Sequence, residues 1–396
     1  MIKVELNYSD DFITRYTQSI LTETLYPAFN ELLGDVPFPF EENMRRLFCN
    51  ESLHDIVFLD PEELVDKIVD IYDSVPILSE RYCIEYYLEG LVLSENIVDI
   101  DLMPNENKIW MREERDRVVD RLLLLIENRE SVLIQRIIDD LRSENRASRL
   151  RITLKKLLSM MSGNNLLSRE EKALFPNWVN EFANIFNYNQ MAKNFGNEMT
   201  SSLHINFCPY CNQENTETIT AASARSRPDL DHFHPKSKFP FLALTLSNLI
   251  PSGHRCNQTY KKSKIMLNKV HPYLDGVGSD ALFNFNFSFH NGYEKENLNI
   301  TVNELGQQID NNIDFFKIEN VYNQDSSKEW FMEFHERYEY RRCVDREIFD
   351  DILDDPNSIR MELAFDILKS PKIADSQKFK IDALQQLSGR PYPLPD

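Results

Sequence analysis

The chain has 396 residues, is 42% hydrophobic with 25 Phe and 16 Tyr, and carries a formal net charge of −20. That length exceeds one ordinary core and predicts two or three domains, and the apolar content excludes global disorder. The acidic balance excludes a protein that coats nucleic acid nonspecifically, and no apolar run approaches the roughly 20 residues of a membrane span.

From the N-terminus, MIKVELNYSDDF has no apolar signal region, so a cytoplasmic protein without a membrane partner is expected. Residues 1–195 are expected to form a helical N-terminal domain. Within it, DPEELVDKIVDIYDSV (60–75) puts Asp60 at an N-cap and Pro61 at the first helical position, ahead of apolar residues at helical spacing. The stretch from Met111 to Met161 has apolar positions three and four apart but is too long for one globular helix, so a break is predicted near Ser143 to Ser148. Its longest apolar run, Leu122 to Ile126, reads as a core face. Its basic end, from Arg142 to Lys156, reads as a solvated face, with phosphate contact the alternative.

Helical periodicity is expected to stop near Asn194 to Thr200. Residues 196–275 are expected to be the middle unit, within which 205–270 read as a compact mix of turns and short strands. In it FPFLALTLSNLI (239–250) is a strand or hairpin candidate, and CNQTYKKSKIML returns to helical character. FNFNFSFHNGYEKENLNITVNE (283–304) alternates apolar and polar residues around Asn291-Gly292, a strong hairpin signal. Helix resumes from about 313, so residues 276–396 are expected to be a hairpin followed by helices.

The chemistry concentrates in the middle unit. From Arg225 to Lys264 eight basic residues stand against two acids, Asp229 and Asp231, a basic island suited to an anion. A reducing cytosol argues against a disulfide framework for the six cysteines. Cys49, Cys83 and Cys343 stand alone and are expected to be buried apolar thiols. Cys208-Pro-Tyr-Cys211 is a knuckle able to grip one side of a tetrahedral metal; a redox pair is the competitor, but no thioredoxin-like pattern surrounds it. Downstream, PSGHRCN supplies Cys256 but has Gly253 where a second Cys-x-x-Cys would need cysteine. His254 and His204 are the remaining candidates for a fourth ligand. Asp231-His232 joins a hard oxygen ligand for Mg²⁺ to an imidazole able to take a proton from water.

In this order, CPYC and then LDHFHPKSKFPFLALTLSNLIPSGHRCNQTYKKSK, residues 208–264 resemble an HNH endonuclease of the ββα-metal class. The resemblance implies an α+β, mostly helical protein in which an HNH core is inserted between the N-terminal helical domain and the C-terminal hairpin-plus-helical region. It implies a DNA endonuclease, with RNA not excluded, that depends on Mg²⁺ or Mn²⁺. On the family pattern Asp231 and Asn257 match the metal ligands, His232 the general base, and Asn248 the asparagine that fixes the loop carrying the histidine. Cys208, Cys211 and Cys256 match cysteines of a structural zinc knuckle, and Gly253 is the departure. His234, Lys236, Lys238, Arg255, Lys261 and Lys262, with Lys264, are the expected phosphate contacts. The large helical additions resemble effectors of bacterial anti-phage systems of the Septu and retron-linked kind, which implies a partner ATPase. The alternatives are a catalytically silent nucleic-acid-binding or scaffolding module, or a stand-alone restriction or homing-type nuclease.

Overall fold

The computed structural model describes residues 1–164, 166–220, 225–288, 293–344 and 346–395. The fold is α+β and mostly helical. Three two-stranded antiparallel sheets occur among the described residues: β1 (Ile219–Thr220) with β2 (Arg225–Ser226), β3 (Asp229–His232) with β4 (Leu249–Ser252), and β5 (Phe283–Phe287) with β6 (Leu298–Val302). No helix is long and apolar enough to cross a membrane among the described residues. The chain divides into two compact units, and each unit takes discontinuous stretches of sequence.

One unit comprises Arg15–Tyr188 and His234–Leu246. Its helices form where the apolar spacing says they should. The predicted break falls between helices Leu133–Ser143 and Ala147–Met161. The core face of Asn105–Ile126 buries Leu122, but Leu124 in the same apolar run is exposed. Pro61 opens a 3₁₀ turn, Pro61–Glu63, ahead of the helix Leu64–Ser74, and Asp60 makes no side-chain cap bond. An aromatic cluster fills the interior: the rings of Phe29 and Phe48 stack at 5.0 Å, and Phe182 meets Phe48 at 5.3 Å and Phe186 at 5.5 Å. Glu80 caps the helix Leu133–Ser143 from a distance, accepting bonds from the amides of Val132, Leu133 and Ile134 at 2.8 to 3.0 Å and from the Ser131 hydroxyl at 2.5 Å. Burial pushes the pKa of its carboxyl up.

The segment 239–250 departs from the expected strand. Its aromatic and aliphatic side chains are buried, but Pro240 starts a 3₁₀ turn, Pro240–Leu242, and a second turn spans Leu246–Asn248. An apolar run buried on every side carries no periodicity to tell turn from strand. The Tyr72 ring meets Phe239 at 5.7 Å and Phe241 at 5.4 Å. The Tyr16 hydroxyl donates to Leu244 O and the Thr245 hydroxyl to Ile56 O, both at 2.8 Å.

The other unit comprises Met1–Thr14, Asn189–Phe233 and Ser247–Asp396. The helix Tyr188–Ser202 continues past the predicted stop because Met191, Phe195 and Met199 keep a four-residue apolar spacing. β5 and β6 pair in the expected hairpin from Phe283↔Val302 to Phe287↔Leu298. The Asn291-Gly292 turn lies outside the described residues. Phe285 stacks on Phe331 at 4.5 Å, and Phe379 closes on Phe283 and Phe285 at 5.3 and 5.0 Å. The expected C-terminal helices follow, including Asp325–Val344 and Gln377–Ser388.

Two cysteines differ from expectation. Cys83 is buried, but Cys49 and Cys343 are exposed. Cys49 sits at the N-cap of the helix Asn50–Val57, where its sulfur accepts the Ser52 amide at 3.5 Å, and hydrogen bonds from Ser52 lower its pKa.

Candidate active site and cysteine knuckle

β3 and β4 run antiparallel in the register Asp229↔Ser252, Leu230↔Pro251, Asp231↔Ile250 and His232↔Leu249. The pairing extends by one bond, from Phe233 N to Asn248 O at 2.8 Å, so Asn248 is tied to the residue next to His232. A short π-helical turn, Arg255–Lys261, follows β4 after two residues. Strand, strand and helical turn therefore follow the order of the predicted core and bring Asp231, His232, Asn248 and Asn257 onto one small scaffold.

The side chains on this scaffold have specific partners. Asp231, 3% exposed, accepts the Tyr210 hydroxyl on one oxygen at 2.7 Å and the Lys261 ammonium on the other at 2.9 Å. Lys261, 1% exposed, also donates to the carbonyl of His232 at 2.5 Å. Asn257 directs its amide to Asp229 at 3.1 Å, not to Asp231; Gln258 joins the same oxygen at 3.3 Å. The oxygen donors expected to bind Mg²⁺ thus do not converge on an open position. The Lys261 ammonium is the cation beside Asp231. His232 is 7% exposed. His271 packs its ring 4.2 Å from that of Phe233.

The expected phosphate contacts divide. Lys262 and Lys264 are exposed, whereas Arg255 is half-buried and reaches Gln213 at 3.3 Å. Lys261 is committed to its buried ion pair. In the unit that holds residues 234–246, Lys238 is buried in an ion pair with Glu85. Neither ammonium faces an incoming phosphate, because burying an unpaired charge costs more than solvating it. Lys236 lies over the ring of Tyr188, 3.8 Å from its centroid, and the ring of buried His234 meets Phe239 edge-on at 5.7 Å.

Beside the strands lies the cysteine knuckle. Its turn closes through Asn212 N to Cys208 O at 2.8 Å and Cys208 N to Glu214 O at 2.9 Å, with a bridge between Phe207 and Asn215. Asn212 takes the left-handed φ of 54° that such a turn demands and that asparagine tolerates. This fold-back returns Glu214 to Cys208. Ligand atoms of Cys208, Cys211, Glu214 and Cys256 all lie within 4.8 Å of one another, and no other such group of three or more His, Cys, Asp or Glu occurs among the described residues. All three thiols are buried. Hydrogen bonds from Cys208 and Cys256 hold the pKa of Cys211 well below its ordinary value. The histidines weighed as fourth ligands are elsewhere: His254 is 82% exposed with Nδ1 3.9 Å from Asp229, and His204 is exposed at a left-handed turn.

Three residues of this neighbourhood carry roles that the sequence reading did not assign. Tyr210 is the second spacer of the knuckle, Asp229 lies two residues before Asp231 and so on the same strand face, and Glu214 is the first acid after the knuckle. The i, i+2 spacing of the aspartates was the available signal for Asp229. Nothing local marked Tyr210 or Glu214. Comparison with known proteins adds no relative: no family model, no curated protein and no solved structure matches this chain.

Proposed function

We propose that the chain is an HNH-type endonuclease that hydrolyses DNA phosphodiesters. The observation that carries the reading is the antiparallel β3–β4 pair followed at once by the turn Arg255–Lys261, with Asp231, His232, Asn248 and Asn257 on it. In this reading His232 takes the proton from an attacking water, and the Phe233–Asn248 bond steadies the strand end that carries it. Exposed Lys262 and Lys264 draw in the phosphate backbone. The divalent ion comes from the family resemblance. Bound, it would stabilise charge on the phosphate and the leaving oxygen. Asp231 is engaged by Lys261 and Tyr210 in this structure, so it would have to release one of them to hold the ion.

Buried His232 favours a resting state, because a scissile phosphate reaches the imidazole only after the surrounding chain opens. That supports an effector switched on by a partner, such as the ATPase of an anti-phage system. The occupation of both Asp231 oxygens by Tyr210 and Lys261 favours the second reading, a catalytically silent nucleic-acid-binding module.

Plasmid cleavage with Mg²⁺ or Mn²⁺, comparing wild type and His232→Ala, tests the proposal. Cutting that vanishes in the variant supports it. Cutting that persists removes His232 as the base. Failure of wild type to cut DNA or RNA, alone and with its co-purifying proteins, refutes the nuclease and leaves the silent module.

A further inference from the structure

We propose that Cys208, Cys211, Cys256 and Glu214 form a closed, four-coordinate zinc site, in which a carboxylate takes the place that the family pattern gives to a cysteine at 253. The inference rests on the knuckle alone and stands whether or not the chain cuts DNA.

Two independent observations meet here. The first is the donor set. Three buried sulfurs and a carboxylate oxygen lie within 4.8 Å of one another. Ligands of a tetrahedral zinc with Zn–S of about 2.3 Å are about 3.8 Å apart, so a small contraction closes the site. Thiolate and carboxylate are both ordinary zinc ligands. The second is the space at Gly253. A Cβ there would come 2.5 Å from the Cβ of Glu214 and collide with its carboxylate as well. Glu214 therefore occupies the volume that a cysteine side chain at 253 would need. The glycine that breaks the cysteine pattern is the same residue that admits the carboxylate.

The rest of the geometry fits a ligand held in place. The Arg255 amide donates to one Glu214 oxygen at 3.0 Å and the Cys256 amide to the other at 3.3 Å. Each oxygen keeps a lone pair for a metal. Four anionic ligands around a dication leave excess negative charge, and the Arg255 guanidinium, its Nε 4.0 Å from Glu214, offsets part of it. Such outer partners orient a metal ligand.

The test uses the full chain. Metal analysis after extensive dialysis should give one zinc per chain. X-ray absorption of the zinc-loaded wild type should show three sulfurs at about 2.3 Å and one oxygen at about 2.0 Å. Glu214→Gln should weaken zinc, measured against a chromophoric chelator, by more than the about 10–100-fold that loss of an outer partner costs. Gly253→Ala, which supplies no ligand, should weaken it comparably by displacing Glu214. The pair Glu214→Gly with Gly253→Cys should recover tight binding, and its cobalt-substituted form should show stronger sulfur-to-metal charge transfer than the wild type. Glycine is needed at 214 because the collision reaches Cβ. A wild type without zinc, a four-sulfur signal, or a Glu214→Gln variant that binds zinc as tightly as wild type would each overturn the assignment. The first two need no variant to fold.

Discussion

Replacing Lys261 by Met removes a charge from the least exposed ion pair of the candidate active site and keeps nearly the same volume. At 2.9 Å the attraction between Lys261 and Asp231 is about 6 kcal/mol at an effective dielectric constant near 20. Desolvating the two ions opposes it by several kcal/mol each, so the intact pair is close to neutral for stability. Breaking it is not. Lys261→Met strands the Asp231 carboxylate with only the Tyr210 hydroxyl, and Asp231→Asn strands the ammonium with only the His232 carbonyl. Each single change is expected to cost about 3–5 kcal/mol. The double variant is expected to cost only about 1–3 kcal/mol, mostly from the lost bond between Lys261 and the His232 carbonyl. The singles therefore sum to far more than the double. Urea unfolding measures this, followed by fluorine NMR of 5-fluorotryptophan-labelled protein. Trp330 lies in the same unit as the pair, so its resonance reports that unit separately from the other two tryptophans. Single variants that each lose less than about 1 kcal/mol and add without coupling would refute the reasoning, since that is how a solvent-screened pair behaves.

Other expectations follow from the same structure. Glu80→Ala should destabilise its unit by about 2–4 kcal/mol, because the buried amides of Leu133 and Ile134 lose their acceptor; thermal unfolding checks it. The Glu80 carboxyl has a raised folded-state pKa, so its contribution is full below the ordinary value of 4.5 and is lost as pH rises through the folded value. Glu80→Gln should flatten the stability–pH curve above 4.5, and an unchanged slope would count against the assignment. In native protein, iodoacetamide should modify Cys49 and Cys343 well before Cys83, which is buried with its pKa pushed up to about 12. Ser52→Ala should slow the reaction of Cys49 near pH 8, since it removes the Ser52 hydroxyl, 3.2 Å from the sulfur, that favours the thiolate, and keeps the amide bond; peptide mapping by mass spectrometry reads both.

Much of the architecture was legible in local sequence. The break between Ser143 and Ala147 and the β5–β6 hairpin follow from periodicity and turn residues, which are short-range signals. The apolar segment 239–250 was not, because burial on every side erases the alternation that marks a strand. For the candidate site the sequence offers an order of motifs, and the structure shows Asp229–His232 and Leu249–Ser252 as paired antiparallel strands. Side-chain partnerships were the hidden part. Lys261 reads as a surface base in a basic island and proves to be buried under Asp231, a fact set by the turn of chain between residues 255 and 261. Glu214 reads as one acid among 64 Asp and Glu. Only the fold-back of the knuckle, closed by Cys208 N to Glu214 O, brings it to the sulfurs.

The stretch 234–246 has a consequence for anyone dividing this protein. It interrupts the β3–β4 motif between His232 and Asn248, yet its aromatic side chains belong to the helical unit, where Phe239 and Phe241 meet Tyr72. The backbone passes from one unit to the other four times, after residues 14, 188, 233 and 246. A fragment cut at 196–275 would carry thirteen residues stripped of their packing partners, with Phe239, Phe241, Leu242 and Leu244 open to water. Such a piece is expected to aggregate, and inactivity in it would say nothing about the intact chain.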